Sequence, residues 1–256
     1  MCDSTSREAS VADRLNRENW MQPVRWIPSD TKSLLEVGCN VGEHLGSCAA
    51  VYPDIKLSGI DINPIAIAKA RDSLPHADLQ ATSATELPFS DNSFDCVMCI
   101  EVLEHIPTAL RAQALAEIHR VLKRGGRFIL RVPHAGLFAF LDSNNLRFRA
   151  PRLYRALVRE GRRDAGYAGG SADVVWHHHF SRGELTSLLG EGWQLEASRT
   201  GGLFLFPLCD IALWPFYRTQ RTNNAMYHFL HRIAAFDIGR DYGAASFDIL
   251  LVLKRV

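Results

Sequence analysis

The chain has 256 residues, enough for one large domain with a full α/β core. Lys plus Arg number 29 against 28 Asp plus Glu, a formal net charge of +1, so no overall field recruits nucleic acid and any charged partner must be met locally. A composition 47% apolar, 22% charged and 9% aromatic excludes a mainly disordered or fibrous chain, and six irregularly spaced cysteines argue against a disulfide framework and for reduced thiols.

Residues 1 to about 13 are small and polar and read as a flexible terminus ahead of one domain over 14–256. They hold no apolar core of signal-peptide length, and no uninterrupted apolar run reaches the roughly 18 to 20 residues of a membrane span, which predicts a cytoplasmic protein. From Lys32 the text alternates: the short apolar run SLLEVG, glycines, a helix-compatible segment through Tyr52, then the strand LSGIDI. A helix follows at about Asn63–Ser73, a strand near Asp78–Ala81, the strand SFDCVMCI, a helix at about Ala109–Leu122, a turn at Lys123–Gly126 and the strand RFILRV. Repeated βα alternation predicts an α/β fold with a doubly wound, mostly parallel sheet. The pattern lapses at about 134–180, an insertion, and resumes with the helix SRGELTSLLGEG, the strand WQLEASRT, an apolar stretch, a polar helical segment near Asn223–Ala235 and the terminal strand FDILLVLKRV.

Glu36-Val37-Gly38-Cys39-Asn40-Val41-Gly42 lies at a strand end and opens a helix, the context in which a glycine-rich loop brings backbone close to a ligand. Asn40 stands where glycine is more usual, and asparagine tolerates the left-handed conformation best among other residues. Asp61 ends the second strand, where a carboxylate can accept both hydroxyls of a ribose. Cys96 and Cys99, three apart on a strand, project to opposite faces and form neither a metal nor a redox pair.

With EVGCNVG, GIDI, ATSATELPFSDNSFDCVMCIEVLEHI and RVLKRGGRFILRVP in this order, the text from about Ser33 to Pro133 resembles the class I S-adenosylmethionine-dependent methyltransferases of the type 11 and type 23 kind. The resemblance implies a Rossmann-like sheet with an antiparallel C-terminal strand and S-adenosylmethionine as cofactor, leaving S-adenosylhomocysteine. It implies contacts from Glu36, Gly38, Cys39, Asn40 and Gly42 at the methionine end and from Asp61 and Ile62 at the ribose. Ser83, Ala84 and Leu87 would meet the adenine, with Cys99 and Ile100 beside them at the fourth strand; Ser83 replaces the acid common in the family.

A sulfonium donor is already activated, so the protein must align a nucleophile and, for a hydroxyl acceptor, take its proton. His105 follows the fourth strand and His134 the fifth, at the sheet edge where such folds bind ligands, and His177, His178 and His179 precede a capping box at Ser181 and Glu184. Among them His105, His134, His177 and His179 are the candidates for a single general base. No metal is expected, because adjacent histidines alternate direction on an extended chain and the sequence shows no acid or cysteine clustered with them. Seven arginines lie between Arg147 and Arg163, and Arg152, Arg155 and Arg159 recur at helical spacing, a set suited either to a solvated face or to an acceptor phosphate. Residues Leu203–Tyr217 are apolar except for Asp210, too short and proline-broken to span a bilayer, which leaves core packing, a subunit contact or peripheral membrane contact.

The resulting expectation is methyl transfer to a small-molecule acceptor, foremost O-methylation of a sugar or other hydroxyl-bearing metabolite, free or linked to phosphate or lipid. Similar methyltransferases with a long insertion before an HxHFS-like segment include enzymes of sugars and lipid-linked glycans. The alternatives are C- or N-methylation of a lipid or quinone-like precursor, RNA methylation, and a cofactor-binding partner protein without turnover. No DNA partner is expected, and the oligomeric state is left open.

Overall fold

A computed structural model describes residues 21–150, 152, 177–219 and 224–256, without the side chains of residues 146, 147, 214 and 217–219. Strands β1 (Ser33–Val37), β2 (Lys56–Asp61), β3 (Asp78–Ala81), β4 (Phe94–Ile100), β5 (Leu122–Pro133), β6 (Trp193–Gly201) and β7 (Asp248–Arg255) form one sheet in the order β3-β2-β1-β4-β5-β7-β6. β7 runs antiparallel to both its neighbours, and the pairs from β3 through β5 are parallel. The doubly wound sheet and its antiparallel last strand are as the sequence predicts. The order reverses between β1 and β4, so the carboxyl ends of these strands flank the crevice where open α/β sheets take their ligands.

Helices α1 (Glu43–Val51), α2 (Pro64–Ser73), α3 (Thr108–Val121) and α4 (Arg182–Leu189) cover the sheet, and α5 (Leu205–Thr219) and α6 (Ala225–Ile238) form a hairpin beside it. Both sheet faces are buried, which is why the central strands read as apolar runs without polar alternation. Leu35, Val97, Cys99, Phe128 and Leu251 pack with Leu115, Ile118 and Leu185 on one side. Leu34, Cys96, Met98, Ile129 and Leu250 pack with Leu45, Cys48 and Ile67 on the other. Cys96 and Cys99 therefore sit in opposite cores, as their spacing requires.

Three local departures from the sequence reading have physical causes. The turn at Lys123–Gly126 is continuous with β5, but Leu122 pairs with Phe94 and Arg127 with Cys96, so the intervening residues bulge from the ladder around Gly125 at φ 74°. Residues 205–219 are helical despite two prolines: Pro207 falls in the first turn, where its missing N–H has no helical partner, and Pro215 is tolerated near the end. The last helix is less polar than expected, capped by the Asn224 side chain and exposing Met226, Phe229 and Phe236. Among the described residues no helix is long and apolar enough to cross a membrane.

The insertion leaves the sheet at its carboxyl edge and is closed there. The Phe180 N–H donates to Pro133 O at 2.8 Å, the Ala135 N–H donates to Phe180 O at 3.0 Å, and the His134 N–H reaches Phe247 O at 2.7 Å. Ser181 then caps α4 by accepting from the Glu184 N–H at 3.1 Å. Glu184 does not reciprocate as a capping box would; its carboxylate pairs instead with His178 Nε2 at 2.7 Å.

Candidate active site

The loop between β1 and α1 is built from left-handed residues: Gly38 at φ 78°, Asn40 at φ 48° and Gly42 at φ 82°. The Gly38 and Cys39 N–H groups donate to Ile60 O at 2.7 and 2.9 Å, locking the loop to the end of β2. Asp61 completes this lock, its Oδ2 accepting from the Asn40 N–H at 2.9 Å and its Oδ1 from the Asn63 N–H at 2.8 Å. Each carboxylate oxygen keeps a second lone pair for a ligand hydroxyl. Ile62, beside it, is 66% exposed.

Glu36 projects from β1 and is buried. Its Oε1 lies 2.8 Å from His44 Nδ1 on α1, while its Oε2 is buried without a hydrogen-bond partner among the described residues. Burial alone would lower the His44 pKa, but the Glu36 carboxylate outweighs it and holds the imidazole above its ordinary value. Cys39 is buried against the loop, and burial, reinforced by Glu36 and Asp61, pushes its thiol far up, so it is not a nucleophile at neutral pH. Ser83 makes a local turn, its Oγ accepting from the Thr85 N–H at 3.2 Å and lying 2.8 Å from Thr85 Oγ1. Ala84 packs partly buried beside it, and Leu87 is buried with its N–H donated to Glu117 Oε2 at 2.8 Å. Cys99 and Ile100 are both buried, on opposite faces of β4, and both are paired within the sheet.

A second loop leaves β4 through Glu101, at φ 55°, and Val102, and turns at Leu103–His105. A Cβ placed on Gly38 would meet Val102 Cγ2 at 2.2 Å, so the two loops are in direct contact. The space beside Gly38 is thus already filled by Val102. From there the His105 N–H reaches Val102 O at 2.9 Å and starts a cluster of histidines and acids. His177 Nδ1 lies 2.5 Å from Asp142 Oδ2, His179 Nε2 lies 2.9 Å from the same oxygen, and His177 Nε2 lies 3.5 Å from Glu104 Oε1. The His105 ring packs against His177 at a tilt of 47°, with ring centroids 4.9 Å apart. Asn145 clamps the His177 backbone, donating to its O at 2.7 Å and accepting from its N–H at 2.9 Å.

The histidines divide by electrostatics. Burial would lower His177, but Asp142 and Glu104 together lift it to about 10, which favours its charged form over the role of proton acceptor. Burial would raise Asp142, but the hydrogen bonds and charges of His177 and His179 outweigh it and hold the carboxyl below the usual carboxylate range. His179 is held at both nitrogens, by His134 O at 2.9 Å and by Asp142. His134 is buried with Nδ1 on Ser246 O at 3.0 Å. The His105 ring is 59% exposed. His178 alone points away, to Glu184, as alternation along an extended chain requires.

The acids correct the sequence reading. Histidines 177 and 179 were expected to have no clustered carboxylate, yet Asp142 from the insertion and Glu104 from the β4 loop both meet them. Arg152 is exposed, and Arg155 and Arg159 lie outside the described residues.

The methyltransferase domain family matches residues 35–130, the stretch from β1 into β5 that holds both loops. An O-methyltransferase of Penicillium expansum, cnsE, is 35% identical over 126 residues, 47% of this chain and 44% of that protein. Demethylmenaquinone methyltransferase of Symbiobacterium thermophilum is 39% identical over 103 residues, 38% of this chain and 40% of that protein. Over this stretch the chain is similar to S-adenosylmethionine-dependent methyltransferases. It spans less than half the length of these curated relatives. The methyltransferase fold extends further than the sequence match: geranyl diphosphate C-methyltransferase from Streptomyces coelicolor A3(2) superposes over 100% of this chain and 84% of its own, with a TM-score of 0.57 at 12% identity.

The residues of the methyltransferase domain fit its cofactor, S-adenosylmethionine. The unpaired, buried Glu36 Oε2 is an acceptor lacking its donor, which the ammonium of the methionine moiety would supply, and Asp61 retains lone pairs for the ribose diol. His44, Glu104, Asp142 and Asn145 are site residues that sequence reasoning missed. Glu104 had a signal, its place beside His105; Asp142 and Asn145 had none.

Proposed function

We propose that the protein transfers the methyl group of S-adenosylmethionine to a hydroxyl of a small molecule. The observation that carries this reading is the contact of Val102 with Gly38, which sets the histidine–carboxylate cluster directly against the cofactor loop. The bound cofactor supplies an electrophilic methyl on sulfonium. With that cofactor held by Glu36, Asp61 and the glycine loop, an acceptor hydroxyl aligned against the methyl would give up its proton to the cluster. His105 is its receiver, since His177 is engaged by Asp142 and Glu104 while His179 and His134 are bound into the fold. The Glu104–His177–Asp142 chain keeps the cluster rigid, so the cofactor loop and the acceptor end hold their alignment.

A sugar hydroxyl, free or carried on phosphate or lipid, is the acceptor class that this cluster and the arginines of the insertion support best. An anionic carrier group would meet Arg152, Arg155 and Arg159. Transfer of labelled methyl to a panel of free and phosphate-linked sugars tests this, with a demethylated quinone as comparison. The expected result is labelling of hydroxyl acceptors that falls at least tenfold in His105→Ala and rises with pH in the wild type. The Arg152→Ala, Arg155→Ala, Arg159→Ala triple variant should raise the Michaelis constant for phosphate-linked acceptors without changing cofactor affinity. Labelling of the quinone alone would exclude the hydroxyl reading.

A further inference from the structure

Glu104 is fully buried, and neither carboxylate oxygen has a hydrogen-bond partner among the described residues. A buried carboxylate left this way is costly, and such a group calls for a missing donor or ion. The nearest imidazoles stand too far off to make good hydrogen bonds: His177 Nε2 at 3.5 Å and His105 Nε2 at 3.8 Å from Oε1. The 3.5 Å separation is that of two ligands sharing one metal ion, and the exposed His105 ring is within a few tenths of an ångström of it. Zinc bonds of roughly 2.0 to 2.1 Å in tetrahedral geometry place ligand atoms about 3.3 to 3.5 Å apart. All three donor atoms lie within 4.8 Å of one another.

We propose that Glu104, His105 and His177 bind a divalent transition-metal ion of the zinc class, leaving one coordination position open toward the acceptor. Two imidazoles and a carboxylate suit zinc or cobalt; magnesium and calcium prefer all-oxygen sets. The surroundings are built for it. Asp142 Oδ2, 2.5 Å from His177 Nδ1, fixes the ring so that Nε2 is presented to the ion, the carboxylate–histidine–metal arrangement of zinc sites. His179 and the Asn145 clamp hold Asp142 and the His177 backbone in turn. The ion takes the place of the proton between His177 and Glu104 and balances the carboxylates of Glu101, Glu104 and Asp248, which otherwise share the Arg131 guanidinium. The inference rests on the proposed function only in placing the acceptor here: His105 is the proton receiver in the metal-free chain, and in the metal-bound one it is a ligand and the ion acidifies an acceptor hydroxyl on the open position.

The test is titration of untagged, chelator-treated full-length protein with Co²⁺, read by visible absorption, and with Zn²⁺, read by calorimetry. S-adenosylhomocysteine binding is measured on the same samples. The expected result is one ion per chain, with the cobalt bands of a four- or five-coordinate nitrogen–oxygen site. Affinity should fall at least tenfold in Glu104→Gln and in His177→Gln. The exposed ring of His105 makes His105→Gln the variant that keeps the fold, and it should fall as far. Asp142→Asn should weaken binding about tenfold to a hundredfold while keeping one ion per chain. Wild-type protein that binds neither ion, or binds them as tightly after Glu104→Gln and His105→Gln as before, overturns the proposal. Metal binding without S-adenosylhomocysteine binding would sink the methyltransferase reading and leave the metal site standing; the reverse result would do the opposite.

Discussion

Gly38 carries two constraints at once: a positive φ of 78° and no room for a side chain, because Val102 Cγ2 would lie 2.2 Å from an added Cβ. A left-handed conformation costs a non-glycine residue about 1 to 2 kcal/mol, and the clash adds to it. Gly38→Ala should therefore lower both the melting temperature and cofactor affinity, and Val102→Ala in the same chain should restore part of each by removing the clash but not the strain. A calorimetric double-mutant cycle measures this; additive losses would show that the two loops are not in contact. Asn40 was legible from sequence as a tolerated left-handed residue, since its chemistry is local. The Val102 contact was not, because it joins loops from different strands. Asp142 was hidden for the same reason, while His177 was legible as a candidate: the insertion folds back to place Asp142 against a histidine 35 residues away.

At the scale of elements, two acids, the half-buried Asp95 and the buried Asp237, carry the joints between strands and helices. Asp95 on β4 accepts from the Lys32 and Ser33 N–H groups at 3.0 and 2.9 Å and from Lys123 Nζ at 2.6 Å, tying β1, β4 and β5 together. Burial would raise its pKa, but the Lys123 ammonium and these donors outweigh burial and hold it below the ordinary carboxylate value. A lowered carboxylate pKa contributes stability that is present above its unfolded value of about 3.9 and is lost as pH falls through the folded one. Asp95→Asn should thus lower the melting temperature at neutral pH, with the difference from wild type shrinking as pH drops below about 4. A difference constant across pH would mean that the charge plays no part. Asp237 on α6 performs the corresponding task for the hairpin, its Oδ2 accepting from the Leu203 and Phe206 N–H groups at 2.9 and 2.8 Å and its Oδ1 from the Tyr242 hydroxyl at 2.9 Å. Hydrogen bonds to a charged group are worth roughly 1.5 to 3 kcal/mol each, so Asp237→Ala should cost several times what Tyr242→Phe costs in urea unfolding. Equal losses would leave the two backbone bonds without weight. The strands and first helices were legible because their apolar periodicity reports burial on both faces of one sheet. The α5–α6 hairpin was misjudged in polarity, because Asn224 and the histidines of α6 read as polar while Met226, Phe229 and Phe236 stay exposed.

For the whole molecule, the strand order converts separate sequence motifs into one cleft. β1 and β4 lie side by side at the reversal point, so the Gly38–Gly42 loop and the Glu101–His105 turn leave the sheet at the same edge. β5 and β7, paired next to β4, bring the insertion's histidines to that edge from the other side. That arrangement followed from the alternation of strands and helices together with the four motifs, whereas the acceptor end depends on side chains supplied by an insertion without a repeating pattern. The central claim is that Glu36, Asp61 and the intervening loop form a cofactor site facing the histidine–carboxylate cluster. Calorimetric titration of the full chain with S-adenosylmethionine tests it most directly. The account predicts one cofactor per chain, with affinity reduced at least tenfold in Glu36→Gln and in Asp61→Ala and both variants still folded by circular dichroism. No heat of binding in the wild type, or unchanged affinity in both variants, would contradict it.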